Sequence, residues 1–124
     1  MSHEARYEPW ADWEGAVKPH PRIYVIRKTC SGSPVQWEGL LDDGRDWYFR
    51  ARFEHASLGV GATPEEAVWA ACWELDPSGR LLPGPPPPGA VGAAARLDED
   101  EAMEMDDDEA VEWINGLLEE VLTP

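Results

Sequence analysis

The charge of this chain is lodged at one end, and that division limits how the chain can fold. Residues 97–124 hold 12 acidic side chains and no lysine or arginine, whereas residues 1–96 hold 13 acids and 10 bases, so a net −12 of the total −15 sits in the last 28 residues. A like-charged block of this density repels itself and draws cations or basic proteins. Such a block joins a fold through an uncharged stripe, and Asp106–Leu122 supplies one. Ala110, Ile114, Leu117, Leu118 and Val121 share one face of a helix, with Trp113 beside them. Asp106, Asp107, Asp108 and Glu109 stand at its start, where the helix dipole favours anions. Asn115-Gly116 is its weak point, the glycine alone costing ~1 kcal/mol relative to alanine. A helix of this kind needs a surface to lie on.

The rest of the chain predicts that surface. At 124 residues there is room for one domain with tails, and 43 % hydrophobic content with seven tryptophans permits a packed core. β-branched and aromatic residues mark strands over Arg22–Lys28, Val35–Leu41, Asp46–Glu54 and Ala56–Val60. Asp43-Gly44 between extended runs predicts a tight hairpin with a positive φ. In the third strand Trp47, Phe49, Ala51 and Phe53 face one way; Tyr48, Arg50, Arg52 and Glu54 face the other. Thr63-Pro64-Glu65-Glu66 then opens a helix, with Thr63 as cap, proline in the first turn and Glu66 at the capping-box position. Val68, Ala71, Cys72 and Leu75 form the stripe expected to pack on the sheet, and Asp76–Gly79 ends the helix.

These elements predict an α+β protein: a small, mainly antiparallel four-stranded sheet packed by one helix, a Pro-rich tether and a C-terminal acidic amphipathic helix. The expected divisions are a Trp-rich arm over 1–21, with Trp10 and Trp13 one helical turn apart, and a sheet-and-helix core over 22–75. A Pro/Gly-rich linker comes next over 76–96, with Gly84–Gly89 as a stiff spacer, and then an acidic arm over 97–124.

No nucleophile elbow, phosphate loop, dinucleotide fingerprint, HExxH or CxxC pattern is present, and His3, His20 and His55 share no metal-ligand spacing. Asp42, Asp43 and Asp46 bracket a turn, where aspartate serves conformation. An enzyme, a metal site and a cofactor are therefore not expected. Cys30 and Cys72 read as two free thiols. No run approaches the ~18 apolar residues of a membrane span, and Met1-Ser2-His3-Glu4 lacks the basic and apolar parts of a signal peptide, so a cytoplasmic protein is expected. A pI near 4.3 argues against direct nucleic-acid binding.

Binding residues are legible instead. The acidic set is Asp98, Glu99, Asp100, Glu101, Glu104, Asp106, Asp107, Asp108 and Glu109; the apolar set is Trp69, Trp73, Trp113, Ile114, Leu117, Leu118 and Val121. Tyr48, Arg50 and Arg52 make a basic, aromatic face, which strand pairing could extend with Arg27 or Lys28; it could grip phosphates and bases or the chain's own acidic arm.

The stretch Val35–Leu75 resembles the HicB-like antitoxin domain, a β-β-β-α unit. Gly61-Ala62-Thr63-Pro64-Glu65-Glu66-Ala67 is similar to that family's Gly-x-Thr-x-Glu-Glu-Ala turn, and the resemblance covers about a third of the chain. Where the family has a Pro- and Gly-containing segment before the third strand, this chain has Phe53–Leu58, and where the family has a DNA-binding domain it has the acidic block. The resemblance implies a module that masks a small basic RNA-cleaving toxin.

The charge split and this resemblance lead to one expectation: a non-catalytic acidic protein that inhibits or masks a basic, nucleic-acid-handling partner, as an antitoxin or a phage anti-defence protein does. The alternative is a small structural or adaptor protein, of a phage for instance, that self-associates or docks through its C-terminal helix.

Overall fold

The hairpin turn at Leu41–Gly44 organises the first half of the fold. The Gly44 N–H donates to the Leu41 carbonyl at 3.0 Å, and the Leu41 N–H donates to the Arg45 carbonyl at 2.8 Å. Gly44 carries φ +89°, a conformation side chains disfavour. In the computed structural model, which describes residues 15–30, 35–52, 54–75, 84–98 and 105–123, this turn joins two strands of a longer sheet. The elements are β1 (Ile23–Cys30), β2 (Val35–Leu41), β3 (Asp46–Arg52), β4 (His55–Gly61), α1 (Pro64–Leu75), β5 (Val91–Arg96) and α2 (Asp107–Leu122). Trp10, Trp13, Phe53, Asp76–Gly79, Glu99, Asp100, Glu101 and Glu104 lie outside the described residues.

All five strands pair antiparallel in the order β1-β2-β3-β4-β5. Four strands are predicted by the sequence; the fifth, Val91–Arg96, lies within the stretch read as linker. The proline run ahead of it is also held rather than free. The Trp69 indole N–H donates to the Gly84 carbonyl at 2.8 Å, and Ala90 N–H closes a turn on the Pro87 carbonyl at 3.0 Å.

Register divides the sheet into two unlike faces. Trp37, Phe49, Leu58 and Ala93 stand in one row across four strands, and α2 packs over them. Ile114 and Leu118 of α2 are fully buried in that core, with Ala110, Val111 and Leu117. The described part of the acidic arm, 105–123, is therefore a structural layer of the protein rather than an appendage.

The opposite face is built of small residues. There α1 lies across β3, β4 and β5 on a contact formed by Ala67, Ala70 and Ala71, all buried. Of the predicted stripe, Ala71 makes this contact and Cys72 is partly buried, whereas Val68 is exposed at 37 %. The reason is backbone proximity. A Cβ at Gly59 would press into the Ala67 carbonyl oxygen, and one at Gly92 would lie 2.7 Å from the Ala70 carbonyl oxygen. Only alanine fits between a helix and a sheet at that separation.

The segment 15–20 lies along α2. Val17 packs against the core and Pro19 is buried. The Asn115 side chain accepts from the His20 N–H at 2.7 Å and donates to the Lys18 carbonyl at 2.8 Å. Among the described residues no helix is long and apolar enough to cross a membrane.

Two glycines should respond oppositely to alanine. Gly59→Ala is expected to cost about 2 kcal/mol or more by wedging α1 off the sheet. Gly116, whose Cβ position meets open space, should gain about 1 kcal/mol as alanine. Chemical denaturation of the two variants checks both signs.

Candidate functional site

The described residues of the acidic block form a fixed band. Because the apolar stripe of α2 faces the sheet, its acids are turned outward: Asp107, Glu112, Glu119 and Glu120 are exposed, with Asp108 and Glu109 partly so. The helix carries six acids and no base in 16 residues, a run of about 24 Å. Asp106 caps it. Its carboxylate accepts from the Glu109 N–H at 2.8 Å, and the Glu109 side chain reaches back to the Asp106 N–H, completing a capping box.

Basic groups pin the band where it meets the body. Lys28 Nζ lies 2.7 Å from Asp107 and 5.9 Å over the Trp37 ring, and Asp108 accepts from the Val17 N–H at 3.3 Å. His20 Nε2 lies 2.8 Å from Glu119. That contact, with help from the Thr123 hydroxyl, holds the Glu119 carboxyl below the usual range. Its stabilising effect is present above the unfolded carboxylate range and is lost as pH falls through the lowered value. Asp98 is exposed just after β5.

The apolar binding set is redistributed by the fold. Ile114, Leu117 and Leu118 are core residues, so they present nothing to a partner. Trp113 and Val121 are half-buried against that core. Trp69 and Trp73 are half-buried on α1, Trp69 being held by its bond to Gly84.

Nor does the basic face form as expected. Tyr48 is 8 % exposed, its hydroxyl accepting from Gln36 Nε2 at 3.0 Å, and burial pushes the phenol above its ordinary value. It is no stacking platform. Arg50 lies between Gln36 and Ser57, and its Nε is buried with no hydrogen-bond partner among the described residues; Arg52 is exposed. Lys28 stands in register with Trp37, on the other side of the sheet, and Arg27 pairs with Glu38 at 2.6 Å. The described part of the acidic arm, 105–123, docks on the face opposite Arg50, through apolar contacts.

The three aspartates of the β2–β3 turn part company. Arg22 reaches Asp42 at 2.7 Å and Asp43 at 3.1 Å, while Arg45 holds Asp43 at 2.9 Å. Arg45 hydrogen bonds keep the Asp43 carboxyl below its usual value. Among the described residues no three His, Cys, Asp or Glu side chains gather to hold a metal. Asp46 is different. It is half-buried beside Glu38, and burial, reinforced by Glu65 and Glu38, raises its carboxyl above the usual value. The sequence groups it with the turn; its strand position, in register with Gly61 near the start of α1, sets it apart.

Compared with known proteins, the chain matches no family model, no curated protein and no solved structure.

Because folding raises the Asp46 pKa, its ionised form destabilises the protein at neutral pH. Asp46→Asn should therefore raise the Tm slightly at pH 7, and the gain should vanish as pH falls towards 3.8, the ordinary aspartate value. Thermal scans of both proteins across that range provide the check.

Proposed function

We propose that this is a non-catalytic interaction protein whose α2 band docks on a basic, nucleic-acid-handling protein and masks its nucleic-acid surface. The observation that carries this reading is the burial of the α2 stripe in the protein's own core. Once Ile114, Leu117 and Leu118 are fixed there, the carboxylates of α2 are held outward at set positions. A helix already folded loses no backbone entropy on binding, and its row of like charges favours rapid, salt-sensitive association with a complementary surface. Carboxylates in a row offer such a surface what phosphates do. An antitoxin-like or anti-defence-like inhibitor fits this chemistry, and β2-β3-β4-α1 has the strand–strand–strand–helix order of the HicB-like domain that Val35–Leu75 resembles. Self-association through the α2 stripe finds no support, since that stripe is already covered.

Removing residues after Ala95 would test the band badly, because it would delete Leu97, Ala110, Val111, Ile114, Leu117 and Leu118 from the core. Glu112→Lys with Glu120→Lys instead reverses two exposed charges and leaves the packing intact. Wild-type protein should capture a basic protein from its native host and compete with that protein's nucleic acid. The double variant should lose at least about tenfold in affinity, and the wild-type complex should weaken steeply with salt. Equal affinity of both proteins for the captured partner would refute the reading.

A further inference from the structure

The helix α1 covers only part of its side of the sheet. It lies on β3, β4 and β5, so beside it the same side of β1 and β2 forms a groove of about 370 Å³. Its apolar lining includes Val25, Leu40, Pro64 and Val68, its polar lining Arg27, Glu38, Asp46 and Tyr48. Val68 is one of the few large apolar side chains left exposed.

The charges of this groove are unbalanced. Arg27 is the one cation among its lining residues and is engaged by Glu38 at 2.6 Å. Asp46 accepts no hydrogen bond and pairs with no base among the described residues, although it is half-buried and Glu65 stands near. A half-buried, unpaired carboxylate interacts more strongly with an incoming charge than one in open water. An anion would add to the repulsion of Glu38 and Glu65, and a neutral apolar group would strip Asp46 of water without compensation. A hydrocarbon stem with a cationic head satisfies both the apolar lining and the carboxylate.

We infer that this groove takes an arginine side chain of a partner protein, its stem against Val25, Leu40 and Val68 and its guanidinium at Asp46. Arginine fits better than lysine, because its planar, weakly hydrated head pairs with a carboxylate at lower desolvation cost. The groove is on the opposite side of the sheet from α2, so the inference stands apart from the acidic band.

An NMR titration of the full-length protein tests it. The probes are a capped Gly-Arg-Gly peptide and its Gly-citrulline-Gly twin, which keeps the shape and loses the charge. The Trp47 indole N–H is a built-in reporter, since it donates to the Val25 carbonyl at 3.2 Å. The arginine peptide should shift that signal and the amides of Leu40, Asp46 and Val68, and the citrulline peptide should not. Asp46→Asn should weaken binding about fivefold, whereas Glu112→Lys with Glu120→Lys should leave the groove shifts in place. Equal shifts from both peptides, or shifts confined to α2, would overturn the groove assignment, the latter while leaving the band intact. The two-peptide comparison on wild-type protein decides the point whatever the stability of the Asp46 variant.

Discussion

A five-stranded sheet has two faces to cover, and the covering of the Trp37–Phe49–Leu58 face by α2 sets the shape and charge of the molecule. Each leucine or isoleucine that α2 buries there removes apolar area worth about 1.5–3 kcal/mol from water. That gain lets a helix with six acids and no base stay in place. The mutual repulsion of its carboxylates is moderated by water, by Lys28 and His20, and by the helix dipole at its first turn. Orientation is decided by the same contact: a helix that must turn Ile114, Leu117 and Leu118 inward has no choice about where Glu112 and Glu120 point. The acidic surface is thus a by-product of core packing, which fixes the backbone that carries it.

The second face is covered by different means. Gly59, Gly61 and Gly92 lower the sheet surface and Ala67, Ala70 and Ala71 lower the helix surface, so the two backbones nearly touch. Contact of this kind gains from dense dispersion more than from area. A helix held by small residues along β4 and β5 cannot also span β1 and β2. The uncovered half-face and the groove along it therefore arise from the choice of glycine and alanine under α1.

How much of this is legible in the sequence depends on how local each signal is. The bounds of β2 and α1, the capping chemistry and the Asp43-Gly44 turn depend on neighbours a few residues apart, and they are read from those neighbours. β5 is hidden because Val91-Gly92-Ala93-Ala94-Ala95 has neither alternation nor a β-branched run; its small residues answer to α1, which the local pattern does not contain. The stripe of α1 is right only at Ala71 for the same reason, since hydrophobicity also points to Val68 whereas packing distance selects Ala67 and Ala70. In α2 the stripe and the acids are both legible, yet charge density draws the eye to an appendage where the stripe builds the core. Asn115 reads as a helix weak point and instead clamps residues 18 and 20. The candidate groove is the least legible part, because Val25, Asp46 and Val68 meet only through strand register and the helix offset.

That clamp has a further consequence. The Asn115 bonds join residues 95 and 97 positions apart, and Asp108 reaches back 91 positions to Val17. The two ends of the described chain are therefore expected to open together in hydrogen exchange: an opening that frees α2 removes the partners of residues 17–20. Such long-range closure couples fraying at one terminus to exposure of the core at the other. A partner that grips α2 from outside would damp that shared opening and slow exchange at both ends at once.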